Sequence, residues 1–381
     1  MGDILFFCIP LDWRTVKQPR NIPVFRPELP DIDTYILSLQ KIWKSQMVSN
    51  FGQFASQLEN IVKQYLGSSS VCVVGNADQG LMLALQSLQL PPGSEIILPS
   101  FTFNSTANAV LWNNYRPVFA DIQPDTFCLD PKDVQRKLSS KTRAILGVHV
   151  FGNPCDIAAL DSLAQKEKLF LLFDSAHAYG SLYQNKKIGT LSDFDIFSFS
   201  GTKLVTSAEG GIITSRDPNL IEIISYLRNY GFLEDYNSQY LGINGKISEL
   251  NAALGCLTFP TIERVIAQRN RLAKKYEQQL ANIPGISFQL VKPGNRSAYK
   301  DFAILVDQRD ELAAYLAIHG IQTKKYFRPI HQMSFFSSFQ TNLPVTQRVA
   351  KRILCLPLYN QMTPQQQKRV TTTIKNFYQN Q

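Results

Sequence analysis

Charged side chains are scarce in this 381-residue sequence, in which 18% of residues are charged, 44% hydrophobic and 11% aromatic. A chain of this composition can bury a sizeable core, which excludes intrinsic disorder as its main state. Its six cysteines lack the paired CxxC spacing of a zinc site. We therefore expect no metal site, no disulfide framework and a reduced, cytoplasmic protein.

Long apolar runs are absent too, since none approaches the roughly 18 residues that cross a membrane. The first ten residues, MGDILFFCIP, lack the basic residues of a secretory signal. Phe6 stands where a myristoylation signal has Ser or Thr. We expect no association with membranes.

The net charge is +9, from 39 basic and 30 acidic residues. These charges are spread along the chain, and no helix-turn-helix, zinc-finger or RNP motif accompanies them, so we expect no nucleic-acid partner. Two interpretations of the excess of basic residues remain open: a solvated surface, or an electrostatic field that attracts a small anionic ligand such as a nucleotide or sugar phosphate.

From Val71 onward, short apolar runs alternate with helical periodicity. This alternation is typical of an α/β fold with a mostly parallel sheet covered by helices on both faces. We predict one large sheet of seven strands, over residues 71–75, 95–99, 116–122, 143–150, 169–174, 194–200 and 211–215.

The pattern changes after Gly255, where a charged amphipathic helix is predicted over residues 261–283, with its charged face in solvent. A smaller α/β unit follows, with predicted strands over 301–306 and 321–327. At the other end, several prolines predict an extended arm that precedes a helix. We predict three parts: an N-terminal arm and helix start (1–40), a large domain (41–256) and a small C-terminal domain (257–381).

Polar residues directly after the apolar runs deserve scrutiny, because open α/β sheets bind ligands beyond the carboxyl ends of their strands. Four such segments stand out, at residues 75–78, 101–103, 174–177 and 198–203.

Asp174 and Lys203 are the two residues of these segments with the most reactive side chains. Asp174 closes the apolar run LFLLFD, where an ionised carboxylate is costly unless a positive or hydrogen-bonding group meets it. A turn or capping role is equally open for Asp174, and a solvated surface position is open for Lys203. Together they suggest pyridoxal phosphate, which needs a lysine for a Schiff base, a carboxylate facing its ring nitrogen and donors at a helix N-terminus for its phosphate.

The string SFSGTK, followed by EGG, resembles the cofactor-lysine segment of the DegT/DnrJ/EryC1/StrS sugar aminotransferases. The resemblance covers nearly the whole chain and implies the fold of fold-type-I pyridoxal-phosphate transferases, which is aspartate aminotransferase-like. Further matching strings, in order, are FRPELP, NFGQFASQLE, LPSFTFNSTANAV, PVFADIQPDTF, HVFGNPCDIAAL, FDSAHAYG, RNYGF, GINGKISELNAALG, KKYFRPIH and LCLPLYNQM.

The resemblance implies a role for each matching residue. Lys203 would bind the cofactor covalently and act as catalytic acid/base, and Asp174 would face the ring nitrogen. His177 would approach the ring hydroxyl, and Ser198 would bind the phosphate. Phe103 would stack on the ring, although an aromatic in this apolar context also fits a core position.

Asn244 matches the asparagine that reaches the phosphate in a neighbouring subunit, which implies a homodimer with shared active sites; a plain Asn-Gly turn is the alternative. The phosphate loop departs from the family, because Asp78 stands where the family has a threonine. We expect the backbone N–H groups of Ala77 and Asp78 to hold the phosphate, with the Asp78 carboxylate turned away to cap the next helix. Ala208 also replaces a glycine, a change expected to be tolerated.

The resemblance implies transfer of an amino group from glutamate to a nucleotide-linked keto-deoxysugar. The related dehydratases carry histidine in place of Lys203. The matching strings favour dTDP-4-dehydro-6-deoxyglucose as acceptor, giving dTDP-4-amino-4,6-dideoxyglucose, a sugar of O-antigens and thus of lipopolysaccharide. Lys246 would meet the substrate diphosphate, and Arg328 and His331 would line the sugar pocket. For Lys246 a surface position, and for His331 a structural role, are the alternatives.

Other functions remain open at this point. The acceptor could be a 3-keto sugar or a UDP- or GDP-linked one. A catalytically degenerate, pyridoxal-phosphate-binding regulator and a sugar-nucleotide-binding protein without the cofactor are the candidates from other classes.

Overall fold

A computed structural model describes residues 21–68 and 70–379 of the chain. The predictions about the first ten residues, and most of the predicted N-terminal arm, lie outside the described residues. From residue 21 the arm runs without regular structure to Asp31, whose carboxylate accepts hydrogen bonds from the N–H groups of Asp33 and Thr34 and so starts the first helix.

Seven strands form one large sheet, as predicted, in the spatial order β1-β9-β8-β5-β4-β2-β3. The strands of the described chain are β1 (Val71–Val74), β2 (Glu95–Pro99), β3 (Arg116–Ala120), β4 (Thr142–Val148), β5 (Phe170–Asp174), β6 (Leu182–Tyr183), β7 (Lys186–Lys187), β8 (Phe194–Ser198), β9 (Gly211–Thr214), β10 (Ser287–Phe288), β11 (Phe302–Leu305) and β12 (Ile353–Leu356). Only β9 runs antiparallel to its neighbours in the large sheet. The carboxyl ends of β2, β4, β5 and β8 therefore meet at one edge.

Helices cover both faces of this sheet, which explains why its strands are almost continuously apolar. The helices are α1 (Ile32–Ser45), α2 (Gln53–Leu66), α3 (Ala77–Ser87), α4 (Ser105–Trp112), α5 (Pro131–Lys137), α6 (Ile157–Glu167), α7 (Pro218–Leu227), α8 (Glu249–Thr258), α9 (Ile262–Leu280), α10 (Arg309–Ile318), α11 (Pro344–Arg352) and α12 (Pro364–Gln379). Neighbouring residues Ile96 and Ile97 of β2 point to opposite faces. Ile97 packs with α2, α6 and α8, and Ile96 with α3, α4 and α7.

A second sheet has three strands, in the order β10-β11-β12. The strand predicted over 301–306 is present as β11, but the one predicted over 321–327 is wrong. That segment makes only single bridges, including Lys324 with Cys355, before it turns away from the sheet. The strand beside β11 is β12, whose apolar run is fully buried. The domain boundaries at residues 40 and 256 stay predictions.

The charged helix predicted over 261–283 is α9, but its polar side is not wholly in solvent. Arg269 is 2% exposed. Its guanidinium donates hydrogen bonds to the backbone carbonyls of Tyr299, Lys300 and Leu358 and to the side chain of Asn360. Periodicity could not show this, because the acceptors, three backbone carbonyls and one side chain, lie 30 or more residues away in sequence. In the part of the chain described, no helix has the length and apolarity to span a bilayer.

Candidate active site

A cavity of about 420 Å³ opens at the edge where β4, β5 and β8 end. It lies against the N-terminus of α3 and is closed on another side by residues around β11. Seven residues singled out in the sequence line it together: Ala77, Asp78, Phe103, Asp174, His177, Ser198 and Lys203. They come from separate parts of the chain, so the parallel sheet is what brings them together.

Asp174 is the last residue of β5 and is 6% exposed. One carboxylate oxygen accepts a hydrogen bond from the Thr106 hydroxyl (2.7 Å), and the other accepts one from the Ala176 N–H (3.1 Å). The Thr106 hydroxyl also lies 2.9 Å from that of Thr102. Burial raises the pKa of the Asp174 carboxyl, and these hydrogen bonds limit the rise. A cationic ring nitrogen in the cavity would favour its ionised form.

Lys203 lies on the loop after β8, with its backbone N–H bonded to the Ser200 carbonyl (3.0 Å). Desolvation in the cavity, followed by the positive charge of Lys300, lowers the pKa of Lys203 to about 8. Among the described residues its amine forms no hydrogen bond or ion pair. An unpaired amine with a lowered pKa is suited to attack a carbonyl carbon.

His177 faces the cavity, three residues after Asp174. Its Nδ1 accepts a hydrogen bond from the Phe151 N–H (3.2 Å), so the proton of the neutral ring is assigned to Nε2. Burial, with the charges of Lys203 and Lys300, lowers the pKa of His177 well below its usual range. The ring is therefore a neutral hydrogen-bond donor.

The N-terminus of α3 forms the anion-binding end of the cavity. The Asn76 side chain accepts from the Gln79 N–H (2.9 Å) and caps the helix. Within residues 21–68 and 70–379, the N–H groups of Ala77 and Asp78 have no partner, as expected for a helix start that can bind phosphate. The expected capping by Asp78 is wrong, because Asn76 fills that role. Asp78 lines the cavity instead, and its negative charge acts to raise the pKa of Lys203 and of Asp174.

Replacing Asp78 by threonine is expected to tighten pyridoxal-phosphate binding by about tenfold. Two like charges about 5 Å apart at an effective dielectric of about 20 repel by roughly 3 kcal/mol, and solvent at this exposed position screens much of it. The dissociation constant can be measured by titrating the cofactor-free protein. Asp33→Thr is the matched control, since Asp33 lies in the first turn of α1. Equal or weaker binding by Asp78→Thr would contradict the expected repulsion.

The cavity thus offers what pyridoxal phosphate requires: an unpaired lysine, a buried carboxylate and a free helix start. Phe103 is 59% exposed, which excludes the core position and leaves its ring free to cover a ligand. Ser198 lies at the end of β8 and turns toward the same space. The residues present fit the cofactor.

Lys300, Tyr326 and Phe327 are among the lining residues that the sequence did not single out. Lys300 gave no local signal beyond one charge in a polar stretch. Tyr326 and Phe327 lie in the string KKYFRPIH, from which Arg328 and His331 were chosen instead.

Arg328 and His331 lie outside this cavity. Arg328 donates to the Gln332 carbonyl and lines a neighbouring basic cleft. His331 is 4% exposed, its Nδ1 lies 2.7 Å from the Ser100 hydroxyl, and its own N–H donates to the same oxygen. This double contact anchors the segment to the end of β2. The geometry therefore favours the structural alternative for His331.

Asn244 and Lys246 line a separate cavity of about 850 Å³. Lys246 donates to the Asn229 side chain (3.0 Å), and its ammonium lies 4.4 Å from the centre of the Tyr230 ring. Neither residue lines the cavity of Lys203 in its own chain.

Ala208, which replaces a glycine of the family pattern, has a φ of 61°. This left-handed conformation costs an alanine roughly 1 kcal/mol relative to glycine. A hydrogen bond from the Ala208 N–H to the Thr206 hydroxyl (3.0 Å) helps to hold this conformation. The change is therefore accommodated at the wall beside Glu209, with some strain.

Comparisons with known proteins identify the family of this chain. The model of the DegT/DnrJ/EryC1/StrS aminotransferase family matches residues 31–375. The chain is 33% identical over 366 residues to a dTDP-4-amino-4,6-dideoxy-D-glucose transaminase of Escherichia coli, covering 92% of this chain and 97% of that protein. It is 29% identical over 368 residues to a GDP-perosamine synthase of Vibrio cholerae, covering 94% and 99%.

The search of solved structures also finds proteins of this kind. The structure of DesI in the presence of its TDP-sugar product matches with a TM-score of 0.89 and 32% identity, covering 94% of this chain and 93% of that one. The predicted fold-type-I architecture is confirmed. This chain belongs to the DegT/DnrJ/EryC1/StrS aminotransferase family, as the strings around Asp174 and Lys203 predict.

Proposed function

We propose that this protein transfers an amino group from glutamate to a nucleotide-linked keto sugar, most specifically dTDP-4-dehydro-6-deoxyglucose. The aminotransferase activity and the pyridoxal-phosphate cofactor follow from membership of the family. The observation that carries the proposal is the placement of Lys203 and Asp174 in one cavity with the free N-terminus of α3.

Pyridoxal phosphate, when bound, supplies a carbonyl carbon for an amine and an aromatic ring that accepts electrons. In this proposal the amine of Lys203 holds the cofactor and later moves a proton from the Cα atom of the amino donor. Its pKa of about 8 leaves roughly a tenth of it as free amine at pH 7, with the acid form also available. One residue can therefore both accept and return the proton.

Asp174 would hold the proton on the ring nitrogen through a charge-assisted hydrogen bond. His177 would donate from Nε2 to the ring oxygen, since Nδ1 is occupied by the Phe151 N–H. The N–H groups of Ala77 and Asp78, with the Ser198 hydroxyl, would hold the phosphate. Phe103 would cover the ring and exclude water.

The proposed acceptor rests on the relatives. The Escherichia coli protein is a dTDP-4-amino-4,6-dideoxy-D-glucose transaminase, and DesI was solved with a TDP-sugar product. The product would be dTDP-4-amino-4,6-dideoxyglucose, a precursor for O-antigen and lipopolysaccharide synthesis. The five described cysteines are buried and free, which suits the reducing cytoplasm where we place the enzyme.

A panel of dTDP-, UDP- and GDP-linked keto sugars, each supplied with glutamate, tests the function. Mass spectrometry should find amination of the dTDP-4-keto sugar first. A faster reaction with a UDP- or GDP-linked sugar would overturn the proposed acceptor. A yellow protein that glutamate does not bleach would instead favour a cofactor-binding regulator, the candidate that the carboxylate of Asp78 beside the phosphate site supports.

We also propose a homodimer in which Asn244 and Lys246 serve the active site of the other subunit, with Lys246 at the substrate diphosphate and Arg328 near the sugar. Support comes from the segment that carries Asn244 and Lys246, where Tyr236 is 87% and Leu241 79% exposed. Apolar groups this exposed are typical of a surface that another chain covers.

Mixing two impaired variants, at a cofactor concentration too low to saturate Asn244→Ala, is expected to raise activity above that of either variant alone if the sites are shared. Asn244→Ala should weaken cofactor binding by about tenfold or more, through loss of a hydrogen bond to the phosphate. When Asn244→Ala chains pair with Lys203→Ala chains, the first supplies Lys203 and the second supplies Asn244, so each mixed dimer contains one complete site. Random 1:1 mixing should therefore recover about a quarter of the wild-type sites.

The control is a chain that carries both changes, mixed with the wild-type chain. With shared sites its mixed dimers hold no complete site, so only the wild-type homodimers should be active and about a quarter of all sites should work; if each chain built its own site, about half would. No recovery in the first mixture together with about half of the sites active in the control, or a fully active monomer in sedimentation, would contradict the shared site.

A further inference from the structure

Lys300 and Asp301 form a buried ion pair at the start of β11. Their side chains are 6% and 7% exposed, and the Lys300 ammonium lies 3.1 and 3.0 Å from the two carboxylate oxygens of Asp301. Buried charges of this kind are costly and are usually held by several contacts. Lys300 also lines the cavity that contains Lys203.

The backbone of Lys300 is fixed from two sides. Its N–H donates to the Phe151 carbonyl (2.9 Å), which belongs to the segment after β4. Its carbonyl accepts from the buried guanidinium of Arg269 on α9 (3.1 Å). The ammonium lies 5.4 Å from the centre of the Tyr326 ring, another wall of the cavity. The positive charge is thus held in one place by four parts of the chain.

Lys203 and Lys300 are the two basic side chains that line the described cavity, apart from the neutral His177. A fixed like charge favours the uncharged form of a neighbouring amine. The other ionisable groups that face Lys203 are Asp301 at β11, Asp174 on β5, Asp78 on α3 and Glu209 before β9. All four are acidic and act against Lys300, whose effect on Lys203 is larger than that of Asp174, Asp301 or Asp78 taken singly.

We propose that Lys300 is a positioning residue whose fixed charge keeps the amine of Lys203 available as a nucleophile and base near neutral pH, with Asp301 as its anchor. Without Lys300, only desolvation would oppose the acidic groups around Lys203, and the amine would keep its proton to a higher pH. The inference rests on the proposed function only in taking Lys203 as the reacting amine.

The test compares variants that keep or remove the charge at residue 300. Lys300→Arg keeps it, Lys300→Met removes it, and Lys300→Met with Asp301→Asn removes both charges so that no buried carboxylate is left unpaired. The rate at which acetic anhydride modifies Lys203 is measured by mass spectrometry across pH in the full-length protein without cofactor. The exposed Lys132 in the same digest is the internal reference.

Lys300→Met should move the midpoint of the Lys203 profile upward by about one pH unit, which means roughly tenfold less free amine at pH 7. The double variant should move it in the same direction by less, since Lys300 outweighs Asp301. Lys300→Arg should leave it near that of the wild-type protein. The Lys132 profile should not change in any of them.

An unchanged midpoint in the double variant, or an equal shift in Lys300→Arg, would overturn the proposal and leave Lys300 a structural residue. If Lys300→Met does not fold, the comparison of the double variant with Lys300→Arg still decides. Because acetylation needs neither pyridoxal phosphate nor a sugar nucleotide, failure of the proposed function would not alter this result.

Discussion

Replacing Lys203 by alanine is expected to lower amino transfer by at least about a thousandfold, because this amine binds the cofactor covalently and moves the proton. The other lysine of the cavity, Lys300, cannot replace it, since its ammonium is held in an ion pair with Asp301. The same change should let the cofactor be removed by dialysis and abolish the absorbance of its lysine adduct. Fold and melting temperature should be nearly unchanged, since the Lys203 amine has no hydrogen bond or ion pair among residues 21–68 and 70–379.

Lys132→Ala is the matched control. Lys132 is exposed in the first turn of α5, so the change removes one positive charge far from the cavity. It should leave both activity and cofactor binding unaltered. Turnover by Lys203→Ala at the wild-type rate would overturn the assignment of this residue and, with it, the proposed reaction.

Replacing Asp174 by asparagine is expected to reduce kcat by roughly a hundredfold to ten-thousandfold, with a smaller effect on KM for the sugar nucleotide. A neutral amide cannot hold a proton on the ring nitrogen, so the ring would accept electrons poorly. The apo protein should not lose much stability, because burial already disfavours the ionised carboxylate, as its raised pKa indicates. Single-turnover bleaching by glutamate measures the chemical step directly.

Asp121→Asn provides the comparison. Asp121 follows β3 much as Asp174 ends β5, is 7% exposed, and accepts hydrogen bonds from the N–H groups of Val345 and Thr346. It lies outside the cavity, so this variant should be less stable yet keep its turnover per folded molecule. Similar losses of turnover in the two variants would mean that Asp174 acts only through folding.

The large sheet could be predicted from the sequence because its strands are buried on both faces. Each strand is then a short apolar run, and the run itself marks the element. The residues after those runs could be predicted as a site for a related reason, since parallel strands end at one edge. Asp174, Lys203 and the α3 start required no knowledge of distant contacts.

The errors have one cause in common. The segment over 321–327 has the composition of a strand, yet it forms only single bridges because β12 takes the place beside β11. Arg269 and His331 looked like a surface charge and a pocket ligand, and both are buried on backbone or hydroxyl partners far away in sequence. In each case the deciding partner was outside any local window.

The sequence by itself determined the apolar strands, the order of the elements and the chemical groups at the strand ends, because these depend on local pattern and on motifs. The tertiary structure alone decided which groups share a cavity and which charges act on them. Only there does Asn76 rather than Asp78 cap α3, and only there does Lys300, 97 residues after Lys203, come to line the same wall. Electrostatic interactions depend on distance and burial, and neither can be inferred from the spacing of residues along a chain.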